Sequence, residues 1–190
     1  KHLGFEYAPC NPGTSFRGLH ESLINYGGNK SPEFLTCLHE ESSVAMAHGY
    51  FKIEGKPLLT LAHGTVGLQH ASMALYNAYC DRVPLYLMLG NTQDINHRRG
   101  SADWYHSVQD AVAMVRDYVK WDDSPVSLSH FAESAVRGYK IAMTPPYEPV
   151  VLVADSVLQE EPITEKNLRI PKLSISAPPQ GDTGAVMEAA

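Results

Sequence analysis

Leu38-His39-Glu40-Glu41-Ser42-Ser43-Val44-Ala45-Met46-Ala47-His48-Gly49-Tyr50 is the stretch on which the reading of the fold turns. It overlaps the end of an apolar run, Phe34-Leu35-Thr36-Cys37-Leu38, that suits a buried strand, and it continues with Val44, Ala47 and Phe51 at helical spacing. Glu40 therefore stands at a strand-to-helix turn. In an open parallel α/β sheet such turns lie at the carboxyl ends of the strands, where ligands bind. The carboxylate has two readings: a site group, or, like Glu41, a first-turn acid that favours the helix dipole. Ala45 and Gly49, four apart, leave one helix face nearly bare, so another backbone can approach it closely.

The chain before this stretch reads as a strand over 4–8, broken by Pro9-Cys10-Asn11-Pro12-Gly13. Thr14 or Ser15 then caps a helix carrying Phe16, Leu19 and Leu23 on one face, ended by Tyr26-Gly27-Gly28-Asn29. After it, Gly55-Lys56-Pro57 turns into a third strand over 58–62, and His63-Gly64-Thr65-Val66-Gly67 makes a glycine-punctuated turn into a helix over 68–80. A fourth strand over 85–89 reads as buried on both faces. The polar loop 90–106 is longer than compact folds carry without a use for it. Ser107-Val108-Gln109-Asp110 resembles a capping box with Asp for Glu, which predicts a helix to about Val119. A short edge strand at 119–121, a helix from Ser127 or Ser129 to Met143 and a sixth strand at 150–154 complete the alternation.

This order predicts an α/β domain over 1–160: an open, mostly parallel six-stranded sheet with right-handed crossovers and helices on both faces. Residues 161–190, with Pro162, Pro171, Pro178 and Pro179 and few large apolar side chains, read as a linker and the start of a following domain.

A formal charge of −6, with His97-Arg98-Arg99 as the sole basic cluster, argues against nucleic acid as partner. No apolar run is long enough to span a membrane, and the first residues lack a signal-peptide plan, so the expected setting is cytoplasmic. Cys10, Cys37 and Cys80 form no C-x-x-C pair and read as buried small hydrophobes in a reducing compartment.

No phosphate-binding glycine motif is complete. His39-Glu40 opens the zinc pattern H-E-x-x-H, but Ser43 stands where the second ligand belongs, so no metal site is expected in this chain. Ser15 and Ser72 lack the glycines of a nucleophile elbow. The turns at 10–13, 38–40, 63–67 and 90–93 all fall along one edge of the sheet and bring a carboxylate, histidine, hydroxyls and amides together, a set suited to a neutral, hydrogen-bonding heterocycle.

Asn11-Pro12-Gly13-Thr14, His39-Glu40 with Ala47-His48-Gly49-Tyr50, Gly55-Lys56-Pro57, the turn from Gly64 to His70 and Val83-Pro84-Leu85 resemble, in order and spacing, the pyrimidine-binding domain of thiamine diphosphate enzymes, on the branch of acetolactate synthase, pyruvate oxidase and benzoylformate decarboxylase. The resemblance runs from about Phe5 to Pro162. It implies a 2-oxo acid decarboxylase or carboligase in which Glu40 hydrogen-bonds the aminopyrimidine ring nitrogen and promotes activation of the thiazolium carbon. By position it makes Pro12 and Gly13 the turn lining the pyrimidine, His70 a neighbour of the cofactor, and Thr14, His63 and Gln109 members of the substrate pocket, with His63 a catalytic residue acting on substrate.

There are departures from the family pattern. The acetolactate synthase turn Ser-Gly-Pro-Gly is absent, and His63 matches benzoylformate decarboxylase instead, which leaves the acyl substrate open. The Gly-Asp-Gly diphosphate and Mg²⁺ motif is also absent; Gly181-Asp182-Thr183-Gly184 lacks the strand before it and the asparagine after it, and reads as linker. The resemblance thus puts the Mg²⁺ ligands outside this chain, allows FAD, for which no residue here speaks, and implies a homodimer or homotetramer. A non-catalytic small-molecule binding or regulatory module that keeps the fold is the other reading, against which the retained Glu40 argues.

Overall fold

The computed structural model describes residues 1–164 and 167–190. In chain order the regular elements are β1 (Tyr7–Cys10), α1 (Arg17–Glu21), β2 (Glu33–Thr36), α2 (Glu40–Glu54), β3 (Leu59–Ala62), α3 (Gly64–Cys80), β4 (Tyr86–Asn91), α4 (Ala102–His106), β5 (Trp121–Asp123), α5 (Leu128–Ala142), β6 (Val150–Asp155), α6 (Ser156–Glu160) and α7 (Thr183–Ala189). The six strands form one sheet in the order β2-β1-β3-β4-β6-β5, and every pairing is parallel.

The chain reverses direction twice across this sheet. It steps outward from β1 to β2, returns past β1 to β3, β4 and β5, then turns back to β6. A right-handed crossover changes face whenever the direction reverses. Accordingly Val44 and Ala47 of α2, Leu68 and Leu75 of α3, and Val112 and Val115 pack on one face, while Phe16, Leu19 beside it and Phe131 and Ala142 of α5 pack on the other. The central strands serve both cores by alternation: Leu87, Leu89, Val151 and Val153 point into the first, Tyr86, Met88, Val150 and Leu152 into the second. Such strands are apolar throughout, as the runs at 85–89 and 150–154 required.

Local signals set the helix ends. His39 caps α2 by accepting the Glu41 N–H at its ring (3.2 Å), and Gly55, at φ 68°, closes the helix in the left-handed conformation that glycine tolerates. Ser127 caps α5 through the His130 N–H.

Several boundaries differ from the sequence expectation. The first strand lies at 7–10 rather than 4–8, because Gly4 at φ 74° breaks the extended run. Helix α3 opens at Gly64 instead of Leu68, since Ser15 Oγ accepts the Gly64 N–H (2.8 Å) and makes the glycine turn the first turn of the helix. No helix starts at Ser107: its hydroxyl accepts the Thr92 N–H (3.3 Å), Asp110 is drawn to Arg116, and only short 3₁₀ turns follow at Val112–Met114 and Arg116–Tyr118. Cys10 and Cys37 are buried as expected, whereas Cys80 at the end of α3 is exposed. In 161–190, the segment the sequence reads as a linker, positions 165 and 166 lie outside the described residues; the described remainder forms no strand or helix until Asp182 caps the exposed α7 through the Ala185 N–H. None of the described helices is long and apolar enough to cross a membrane.

Candidate active site

The sheet order places a switch point between β1 and β3, whose connections leave in opposite directions. The crevice outside the carboxyl ends of two such strands is where open α/β sheets bind ligands. Residues 11–15 follow β1 and His63 follows β3, so they share that crevice, and Glu40 enters it from the first turn of α2 beyond β2.

Glu40 is 4% exposed, and no described residue donates a hydrogen bond to its carboxylate. Its backbone carbonyl is engaged by Ser43 Oγ (2.8 Å), which fixes the first turn of α2. Among the described residues no buried side-chain oxygen is both fully enclosed and unpaired, so the carboxylate keeps a narrow outlet. Gly67 of α3 lies over it: a Cβ there would come within 2.9 Å of Glu40 Oε1. A buried carboxylate without a donor is costly unless something supplies one. Glu41, next in sequence, is exposed.

His63 packs on Gly13, where a Cβ would stand 2.6 Å from the imidazole Cγ. Its Nδ1 accepts the Ser15 N–H (3.3 Å) and lies 2.7 Å from Ser15 Oγ. A backbone N–H can only donate, so Nδ1 carries the lone pair and the proton sits on Nε2. Burial first, and the neighbouring His106 second, hold the His63 pKa below its ordinary value, outweighing the opposite pull of Glu40 and Asp103. His106, on α4, has its ring centroid 4.3 Å from that of His63. Its Nδ1 donates to the Ala102 carbonyl (2.7 Å), which leaves Nε2 as the lone-pair nitrogen. The two neighbouring imidazoles, their planes tilted by 38°, are therefore opposite tautomers, one offering an N–H and the other a lone pair.

The structure brings together Gly13, Glu40 and His63 from the set named in the sequence. Pro12 and Thr14 are exposed at the rim, and Ser15, one residue on, supplies the hydroxyl that reaches the crevice. His70 faces the mouth of the Glu40 pocket, its Nδ1 2.6 Å from His39 Nε2. Gln109 is exposed and hydrogen-bonds to none of these residues. Ser15, which the sequence offers only as a helix cap, and His106, which it leaves in a polar loop, also reach His63; no spacing links His106 to His63. Apolar grooves elsewhere, lined by Leu19, Leu23, Leu59 and Met88 or by Leu59, Phe131 and Ala135, lie against the α1 and α5 face.

Comparison with known proteins places the chain among relatives with a shared cofactor. Residues 1–114 match thiamine pyrophosphate enzymes, N-terminal TPP binding domain. The chain is 27% identical to benzoylformate decarboxylase of Pseudomonas aeruginosa over 144 residues, covering 71% of the chain and 27% of that protein. It is 30% identical to the acetolactate synthase large subunit of Haemophilus influenzae over 87 residues, or 46% of the chain and 15% of that protein. The crystal structure of benzoylformate decarboxylase from Polynucleobacter necessarius superposes with a TM-score of 0.79 at 24% identity, covering 98% of this chain and 33% of that one. The chain thus spans about a third or less of the length of each of these relatives.

Proposed function

The chain belongs to the thiamine pyrophosphate enzymes, matching their N-terminal cofactor-binding domain, and from that premise we propose that it activates the cofactor in a decarboxylase or carboligase of 2-oxo acids. The observation that carries this reading is Glu40: a carboxylate 4% exposed, just beyond a strand end, with no donor among the described residues. It fits a heterocycle that brings a ring nitrogen able to carry a proton. Bound thiamine diphosphate would supply a nucleophilic carbon and an electron sink for the pair left by departing CO₂.

The chain's own residues have the following tasks. Glu40 holds or returns a proton at the pyrimidine ring nitrogen, in a pocket whose low polarity strengthens that hydrogen bond. Gly13 and the rim at Pro12 lie where the family turn lines the pyrimidine, and His70 stands at the pocket mouth. His63 offers Nε2–H to a substrate oxygen while its Nδ1 is held by Ser15, and His106 offers the complementary lone pair. Together they can donate one proton and accept another on the same side of a 2-oxo acid. Thr14 at the rim and Gln109 farther out are the remaining pocket candidates.

Mg²⁺ and the diphosphate are assigned to residues outside this chain, because the crevice between β1 and β3 offers neutral groups and a single carboxylate, Glu40. An obligate dimer or tetramer of like chains is part of the same reading. It is supported by the small or apolar exposed face of α2 at Ser42, Ala45, Met46, Gly49 and Ile53, and by Met73, Tyr76 and Cys80 on α3. The expected setting remains cytoplasmic.

The test is Glu40→Gln in the full-length enzyme. General acid–base help of this kind is worth ~10²–10⁴-fold, and turnover and proton exchange at the cofactor's reactive carbon should fall together by about that factor. Glu41→Gln should change both by less than about twofold, since exposed surface substitutions are usually near neutral. Full turnover and exchange in Glu40→Gln would remove Glu40 from this role.

A further inference from the structure

We infer that His39, Glu40 and His70 form a binding site for a borderline divalent cation of the Zn²⁺ class, and that this cation competes with the cofactor for Glu40. One imidazole nitrogen each of His39 and His70 and one Glu40 carboxylate oxygen lie within 4.8 Å of one another. The zinc pattern in the sequence fails because Ser43 occupies the second-histidine position one helical turn after His39. The fold supplies the missing imidazole from the next helix: the His70 ring on α3 lies beside that of His39, with centroids 4.5 Å apart and planes tilted by 34°. Two imidazoles and one carboxylate, with further positions open, are a donor set that Zn²⁺ takes.

The second observation is the state of the ligands. Glu40 is 4% exposed and receives no hydrogen bond from the described residues, so its lone pairs are available at the floor of the pocket. His39 accepts the Glu41 N–H at Nδ1, which places its proton on Nε2, and that proton is shared with His70 Nδ1 at 2.6 Å. A cation replaces this shared proton. With metal–ligand bonds of about 2.0–2.1 Å in a tetrahedral site, the two nitrogens move apart to about 3.3 Å, a shift that rotation of the exposed His70 ring provides. Coordination through Nε2 returns the His39 proton to Nδ1, so the Glu41 N–H loses its acceptor and α2 gives up its His39 cap in exchange for the metal.

Metal binding rests on this geometry alone; its competition with the cofactor rests on the function proposed above. The experiment uses the full-length protein stripped of cofactor and metals, titrated calorimetrically with Zn²⁺. One Zn²⁺ per chain is expected. Affinity should fall tenfold or more in His39→Asn, which keeps a capping oxygen for α2, and in His70→Gln, on the exposed side of the pair. In cofactor-reconstituted enzyme with Mg²⁺ in excess, Zn²⁺ should raise the apparent KM for thiamine diphosphate and leave kcat unchanged at saturating cofactor. No binding, or binding that is equally tight in both variants, overturns the site. Binding that is lost in the variants yet leaves the cofactor KM unmoved upholds the metal site and overturns Glu40 as the shared ligand of cofactor and cation.

Discussion

At His63, Nδ1 accepts the Ser15 N–H and sits 2.7 Å from its hydroxyl, so protonating the ring would set an N–H against a backbone N–H. The hydroxyl can turn to accept; the amide cannot. Together with burial and the nearby His106, this favours the neutral ring and lowers the His63 pKa from its ordinary value. In the unfolded chain the same ring titrates near 6.5. Below that pH the unfolded state takes up a proton that the folded state refuses. The stability contributed by the neutral ring is therefore complete above about pH 6.5 and is lost as pH falls through the folded value. Between pH 7.5 and 5.5 the wild-type melting temperature should drop more steeply than that of His63→Asn; parallel profiles would sink the idea. Glu40 was legible because a strand, a turn and a helix pattern meet at one residue. The choice of Ser15 over Thr14 was not, since the turn after β1 decides which of two adjacent hydroxyls faces inward.

The segment from β4 to β5 shows how an element can be misread from a sound local signal. Ser107-Val108-Gln109-Asp110 has the spacing of a capping box, but a cap stabilises only a helix that has somewhere to pack. Here Asn91, 1% exposed at the end of β4, reaches across and clasps Val108, donating to its carbonyl (3.0 Å) and accepting its N–H (3.3 Å). That clasp holds 107–108 extended against the strand end and fixes the base of α4, from which His106 reaches His63. Asn91→Ala leaves a buried N–H and carbonyl unpaired, a loss of about 1–3 kcal/mol for each group left unsatisfied. The variant should melt lower, lose amide-exchange protection at Val108 before it loses protection in β4 or β6, and show a weakened contribution of His106 to turnover. Uniform loss of protection across the sheet would mean that the clasp serves global stability alone. The expected sheet and the core strands, by contrast, were legible because burial on both faces leaves only apolar residues over 85–89 and 150–154.

For the whole molecule, the two-sided core and the switch point follow from strand order and the hand of the crossovers, whereas what completes the site has no trace in local pattern. The crevice holds a carboxylate and histidines of which His63 is biased towards neutrality. The nearest basic cluster is already committed: Arg98 donates to the Thr92 and Gln93 carbonyls and Arg99 pairs with Asp103. A diphosphate needs cations, a metal or converging backbone N–H groups, and a carboxylate facing it does the opposite. The 190-residue chain should therefore recognise the pyrimidine end alone. Calorimetry on it should give weak binding of thiamine diphosphate that does not tighten when Mg²⁺ is added, and thiamine should bind about as well, because the ring that the proposed function assigns to Glu40 is common to both. The full-length protein should bind the diphosphate far more tightly with Mg²⁺ than without it. Tight, Mg²⁺-dependent binding by the 190 residues alone would place the metal and diphosphate ligands within this chain and undo that division of labour.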